Sequence, residues 1–451
     1  VADRSTSIAV FNRNLRVTDN PVLAAAAESE HVVPLFVQDR DLLGSSFSNH
    51  RRQHFLNAGL ADLDSSLRNL GGRLIVRRGD PVAQIAKLAA AVDAESVHVG
   101  ADVSWYAKRR EERLRVELGR QRRRLIVHDA VTTIQPAGTI TPQSSDHFAV
   151  FTPYFRRWQD TPVRPVLPPP VRLLLPEGVR QGSVPTGQEV AGWSGGESAG
   201  CRLADSWFAD GLQRYLDRQD DLAGDHTSHL SPYLHLGFVS PVQLAARALE
   251  TPGTGAAAFV RQLAWRDFHH QLLAARPEAA WRDYRSRQDR WRDDDEQWEA
   301  WCAGMTGYPL VDAGMRQLAA TGWMHNRARM IVASFLTKTL YQDWRRGAQF
   351  FLDGLLDGDI ANNNLNWQWV AGTGTDTRPN RILNPVRQAR FDRDARYVRR
   401  WVPELAAIED PAKVHQPWRL EGAKRRRIRY PEPVIDVDHA RQEFLHRRKR
   451  T

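Results

Sequence analysis

Asparagines, a glutamine and two tryptophans crowd the stretch ANNNLNWQW, residues 361–369. An amide offers a donor and an acceptor without a charge, and an indole offers an electron-rich plane. Together they suit a site that holds a polar ring system beside an aromatic group able to carry an electron. The plain alternative is a capped helix docked into a core. Three further clusters invite the same question. GDHTSHLSPYLHLGFVSP, residues 224–241, sets Thr227, Ser228 and Ser231 just before an apolar helical run. Hydroxyls and free N–H groups at a helix start can take an anion or simply cap the helix.

In RQLAWRDFHHQLL, Gln262, Trp265, Arg266 and His269 fall at i, i+3, i+4 and i+7. They share one helix face and make a poor core but a good ligand wall. Trp can stack a base, Gln can bond a base edge, and Arg can take a phosphate. In GWMHNRARMIVASFL, Trp323, Asn326, Arg327 and Met330 share a face, with Arg329 beside them. Buried polar groups on such a helix need partners. LLDGDIANNNLNWQW supplies Asp357 and Asp359, which could pair with Arg329 or bond a ribityl chain or an adenine.

The elements that must position these residues differ between the two ends of the chain. SIAVF, VVPLFV, RLIVRR, SVHVG and RLIVHD read as short buried strands separated by helical stretches. That alternation predicts a doubly wound parallel sheet over residues 1–130. No GxGxxG follows the first strand, so a standard dinucleotide fingerprint is absent. Residues 131–202 are rich in proline and small residues and read as a linker over a surface. Residues 203–451 read as helices, giving an all-α domain.

Lys and Arg total 63 against 53 Asp and Glu, for a net charge of +10. Arginine dominates, and the excess points to a polyanionic partner as well as to base composition. Of 15 tryptophans, 11 lie between residues 265 and 418, a local enrichment that core packing can explain but that also invites a stacking or redox role. The two cysteines, Cys201 and Cys302, form no metal-binding pair or disulfide framework. No apolar run suits a membrane span and no signal peptide is evident, so a cytoplasmic monomer is expected.

Taken in order, FNRNLRVTDNPVL, HTSHLSPYLHLGFVSP, WRDFHHQLL, TGYPLVDAGMRQLAATGWMHNRARMIVASFL, DWRRGAQFFLDGLLDGDIANNNLNWQW and NRILNPVRQARFDRDARYVRRWVPEL resemble the photolyase/cryptochrome flavoprotein family, most closely its class I cyclobutane-dimer photolyases. The resemblance spans nearly the whole chain. It implies an α/β antenna domain joined to a helical domain that holds FAD in a U shape. Tyr215, Thr227, Ser228, His229, Leu230, Ser231 and Arg266 would surround its phosphates and ribityl chain. Trp323, Asn326, Arg329, Asp357, Gly358, Asp359 and Asn363 would line the flavin, with Asn363 facing N5. Trp367, Trp344 and Trp291 match the family's electron-transfer chain. Gln262, Trp265, Arg266, His269, Asn326, Arg327, Met330, Trp369, Arg381 and Gln388 would meet UV-damaged DNA. No metal is implied. The implied reaction is light-driven electron transfer from reduced FAD to a flipped-out pyrimidine dimer, and a second, antenna chromophore would feed it.

Several residues depart from the family pattern. Gln262 stands where cyclobutane-dimer enzymes usually carry glutamate, a feature of (6-4) photolyases and animal cryptochromes. Met330 stands where a (6-4) enzyme usually carries histidine, and WMHNRARM and WQW also favour the cyclobutane type. The loop before Arg381 is one residue short, and FNRNLR replaces the common RRDLR. Asp39, Arg52 and Asp102 fall where deazaflavin-binding members hold their antenna, so 8-hydroxy-5-deazaflavin is favoured over methenyltetrahydrofolate. A (6-4) photolyase and a cryptochrome photoreceptor without repair are the alternatives.

Overall fold

Thr6–Phe11, His31–Asp39, Ile75–Gly79, Ser96–Gly100 and Arg124–His128 form strands β1 to β5 of the computed structural model, which describes residues 5–449. The sheet order is β3-β2-β1-β4-β5 and every pairing is parallel. Ile8, Val10, Val33, Leu35, Ile75 and Val97 are buried. Each contributes about 1.5–3 kcal/mol of apolar burial, which is why these strands read as near-continuous apolar runs. The helices between strands start where the sequence supplies caps. Asn20, Asn49, Asp80 and Ser104 each accept backbone N–H groups at the start of Pro21–Ala26, His50–Asn69, Pro81–Ala91 and Trp105–Arg120. The order reverses between β1 and β4, so the loops leaving those two strands diverge and open a crevice.

Beyond β5 the chain runs along this unit. Its backbone pairs at Val32 N–H to Leu174 O (2.8 Å), Leu173 N–H to Leu70 O (2.7 Å) and Val76 N–H to Gln181 O (2.7 Å). A helix at Phe151–Gln159 lies inside the stretch expected to be linker. Its buried Phe151, Tyr154 and Trp158 have helical spacing, a signal masked by the prolines that follow.

The chain divides into two compact units. The first holds everything up to Gln213, together with Ser228–Pro277 and Leu356–Ala361; the second holds Arg214–Thr227, Glu278–Leu355 and the residues from Asn362 onward. The second is helical, around a core of Trp301, Val311, Phe335, Leu336, Trp344, Phe351 and Trp367. Its helices include Pro309–Thr321, Asn326–Ser334, Trp344–Gly354 and Val437–Lys449. Asn326–Ser334 passes directly into a π-helical turn, Phe335–Thr339. Among the described residues no helix is long and apolar enough to cross a membrane.

Candidate functional site

In the first unit, the loop leaving β1 carries Arg13, which the sequence reading passed over. Its guanidinium donates to Asp102 on the loop leaving β4 (3.2 Å) and to Asp359. Its Nε donates to the carbonyl of His235 at 2.9 Å. Gly237 makes this approach possible. It has φ +70°, and a Cβ there would meet the Arg13 carbonyl oxygen at 2.0 Å. Burial opposes ionisation of Asp102, but Arg13 outweighs it and holds the carboxyl down at about 2. Burial also opposes the charge on Asp359, and Arg13, His270 and Arg266 hold that carboxyl well below the usual range. The His270 Nε2 is 3.5 Å from Asp359. Asp359 therefore has Arg13 and His270 among its partners. Asp357 and Gly358 are buried beside it.

Nearby in the same unit, Asp39 ends β2. Its Oδ1 accepts from Asp41 N–H (2.9 Å), and its Oδ2 is buried without a hydrogen-bond partner. Burial raises its pKa. Arg52 is buried, bonds the Phe47 carbonyl and lies 4.0 Å over the Phe47 ring. Asp102, the third antenna candidate, is paired with Arg13.

Helix Thr254–Ala275 presents the expected stripe, but its four residues have different surroundings. Gln262 is exposed, and Trp265 is half-buried with its ring stacked on Phe151 at 3.7 Å and 8°. That backing fixes the indole plane. His269 is buried against Trp265, with ring centroids 5.6 Å apart. Arg266 is buried and donates to the Thr132 and Leu234 carbonyls. Its guanidinium is thus engaged by main-chain carbonyls. The neighbouring Asp267 takes N–H groups of Ile134 and Gln135 and the Trp158 indole, and so ties the chain after β5 to this helix.

Ser228, His229, Leu230 and Ser231 also belong to the first unit. His229 has φ +53°, and the Ser228 hydroxyl accepts from Leu230 N–H at 3.4 Å. The helix Ser231–Leu236 has no side-chain cap bond, so of the two uses open to these hydroxyls capping is not made here. Tyr215 and Thr227 belong to the second unit, where the Thr227 hydroxyl donates to Asp225 at 3.2 Å.

In the second unit the amides of ANNNLNWQW separate by role. Asn363 Nδ2 donates to Ala348 O and to Asn364 Oδ1, both at 2.9 Å. Its carbonyl oxygen is thus the atom left to meet a ligand donor. Asn364 is buried and donates to Ala280 O at 2.6 Å, so it is a structural strut. Gln368 is fully buried. It donates to Ala279 O (2.6 Å) and Arg282 O (2.9 Å) and accepts from Tyr284 N–H (2.8 Å). Asn366 is exposed and bonds Asn362 O.

Trp367 and Trp344 are buried in one apolar cluster, and half-buried Trp291 packs on its edge. Trp367 lies against the helix that Trp344 begins, because a Cβ at Gly347 would sit 2.3 Å from its ring. The Trp344 indole donates to Asp283 at 2.9 Å. Trp367 also meets Trp301 (6.1 Å), which stacks on Trp298 (5.4 Å); neither had been singled out, since spacing does not reveal them.

Trp323 is buried and Asn326 exposed, while Arg327 is held by Asp220 through contacts at 2.6 and 2.7 Å. Met330 sulfur is 3.9 Å from Arg327 Nη1, and Arg329 Nε donates to Met324 O at 2.8 Å. Arg381 lies 4.8 Å over the Trp369 ring. Gln388 is buried, with its Oε1 lacking a partner.

The chain is similar to known proteins. The family described as "DNA photolyase" matches residues 7–171, and "FAD binding domain of DNA photolyase" matches residues 259–450. The chain is 54% identical to the deoxyribodipyrimidine photo-lyase of Streptomyces griseus over 98% of each chain. A bacterial class III photolyase from Agrobacterium tumefaciens is similar in structure, with TM-score 0.89 and 31% identity over 100% of this chain and 99% of that one. So is an archaeal photolyase from Sulfolobus tokodaii, described with two FAD molecules and a novel light-harvesting cofactor. There the TM-score is 0.86, with 28% identity over 99% of this chain and 100% of that one.

Proposed function

The chain belongs to the DNA photolyase family, and on that premise we propose that it is a deoxyribodipyrimidine photo-lyase that splits cyclobutane pyrimidine dimers in UV-damaged DNA with light. The observation that carries this is the 54% identity to a protein of that name over 98% of both chains. When bound, reduced FAD supplies the light-driven electron that opens the cyclobutane ring and receives it back.

The chain's own residues bind, orient and shield. Asn363 suits flavin N5, because its amide nitrogen is anchored on Ala348 and its oxygen is left to accept a hydrogen bond from a protonated N5. Asp357, Gly358, Asp359, Trp323, Asn326 and Arg329 are assigned to the flavin. Tyr215, Thr227, Ser228, His229, Leu230, Ser231 and Arg266 are assigned to the ribityl and phosphate end. Trp367 and Trp344 are buried and Trp291 is half-buried, which suits an electron path with Trp291 at its outer end. Trp265 and Trp369 offer planes on which a flipped-out dimer stacks, and Gln262, His269, Asn326, Arg327, Met330, Arg381 and Gln388 complete the DNA contact. For the antenna, the unpartnered Oδ2 of Asp39 supports a chromophore with a donor, and 8-hydroxy-5-deazaflavin is the preferred one over methenyltetrahydrofolate.

The test is illumination of the flavin-reduced protein with a duplex containing one cyclobutane dimer. Ultraviolet absorbance of the restored bases should appear in light and not in darkness. No recovery with fully reduced flavin would overturn the reading. Recovery only on a (6-4) lesion would favour the alternative suggested by Gln262. A deazaflavin antenna would absorb at longer wavelength than a folate.

A further inference from the structure

A polar cavity of about 340 Å³ opens in the second unit between the loop before Pro385 and the C-terminal helix Val437–Lys449. Three guanidiniums line it: Arg381, Arg387 and Arg441. All three are exposed, and none has a carboxylate partner among the described residues. Asp438 is the one carboxylate in the lining. Gln388 forms part of the wall, 7% exposed, with a carbonyl oxygen that has no hydrogen-bond partner. Unpaired arginines around a cavity, with a buried acceptor in its wall, suit a ligand that carries both an anion and an N–H edge.

The wall is rigid. The buried Lys338 donates to the carbonyls of Pro379 and Arg381, both at 2.8 Å, and Leu383 N–H bonds the Ser334 hydroxyl at 3.0 Å. From the other side Arg448 fixes the C-terminal helix, through Asp289 at 2.8 Å and the Ala371 carbonyl at 2.9 Å. A site pinned on two sides is pre-organised for its ligand. Arg381 also covers Trp369, so this cavity adjoins an indole assigned to the lesion.

We propose that this cavity takes one nucleotide of the DNA beside the lesion, its phosphate held by Arg387 and Arg441 and its base N–H edge received by Gln388. The proposal rests on the photolyase reading for its choice of DNA. Neither Arg387 nor Arg441 follows from the family resemblance, and the C-terminal helix becomes part of the nucleic-acid surface.

The test measures affinity for a dimer-containing duplex against salt concentration, for wild type and for the double variant Arg387→Gln, Arg441→Gln. Two lost phosphate contacts should lower the slope of log K against log salt by about 2 and weaken binding roughly tenfold or more. An isolated dinucleotide dimer, too short to reach the cavity, should bind both proteins alike. Asp438→Asn should act in the opposite direction and tighten duplex binding. An unchanged slope in the double variant, or weaker duplex binding by Asp438→Asn, would overturn the proposal. These readings need no light. A wild type that binds the duplex with the expected salt dependence but does not split the dimer would refute the repair function and leave this site standing.

Discussion

Asn363 shows how one neutral side chain can be aimed. Its nitrogen is taken by Ala348 O and Asn364 Oδ1, so only the oxygen is free to face a ligand. Asn363→Asp would set a carboxylate against those same two acceptors. Stability should fall by about 1–3 kcal/mol, the usual cost of unsatisfied buried polar atoms. Thermal melting of the flavin-free protein should register this, and flavin retention on a desalting column should fall with it. Equal melting temperatures would mean that the amide nitrogen is not anchored. The same reasoning explains which residues were legible in the chain. Trp265 could be picked out because its helix face is local, spaced by three and four. Arg13 could not, because its partner Asp359 lies 346 residues away.

Between residues 277 and 291 the chain has little regular structure of its own, and its shape is borrowed from neighbours. Gln368 supplies three of the bonds. Trp344 and Arg345 both hold Asp283, each at 2.9 Å, and Arg285 N–H bonds Thr373 O at 2.7 Å. Gln368→Leu keeps the volume and removes these three bonds, to the Ala279 and Arg282 carbonyls and from the Tyr284 N–H. A loss of about 3 kcal/mol or more is expected. Amide exchange at 279–285 should accelerate before that of the core helices, and uniform exchange across the unit would contradict the strut role. Trp291 ends this segment, so on the proposed electron path photoreduction of bound flavin should slow in parallel. The strands and capped helices of the first unit were readable, since apolar runs and Asn, Asp and Ser caps are local signals. The struts Asn364 and Gln368 were not, since an amide reaching a carbonyl 84 or 89 residues away leaves no local pattern. The helix Phe151–Gln159 was obscured for a different reason: its nine residues sit between turns and prolines and look like part of a linker.

For the molecule as a whole, the net charge of +10 explains attraction to a polyanion, but pH acts through a few buried groups. In the sheet, His98 is buried and bonded to Ser96 Oγ and His128, both at 2.9 Å. Burial, then His128 and Arg124, lower its pKa from 6.5 to about 4. The folded value lies below the unfolded one, so the associated stability is fully present above pH 6.5 and is lost as the pH falls towards 4. Linkage puts the loss near 3 kcal/mol for this residue. Urea midpoints measured down that range should therefore fall, and His98→Gln should flatten the decline. An unaltered acid limb in that variant would show that other groups control it. The two-part α/β and helical layout was legible from strand–helix alternation giving way to helices. The interleaving of the two units was not, because a return of six residues, Leu356–Ala361, carries no compositional mark.

That short return has a consequence for synthesis on the ribosome. Asp359 neutralises Arg13 at the mouth of the sheet, yet it is made 346 residues later. Between Pro277, the last earlier residue of the first unit, and Leu356, the ribosome adds only second-unit sequence. At typical elongation rates this takes roughly 4–16 s. Throughout that interval the first unit lacks Leu356–Ala361, and Arg13 has Asp102 but not its second carboxylate, Asp359. The ion pairs at the ligand end of the sheet are therefore completed only after the chain has passed residue 361, when most of the polypeptide has been made.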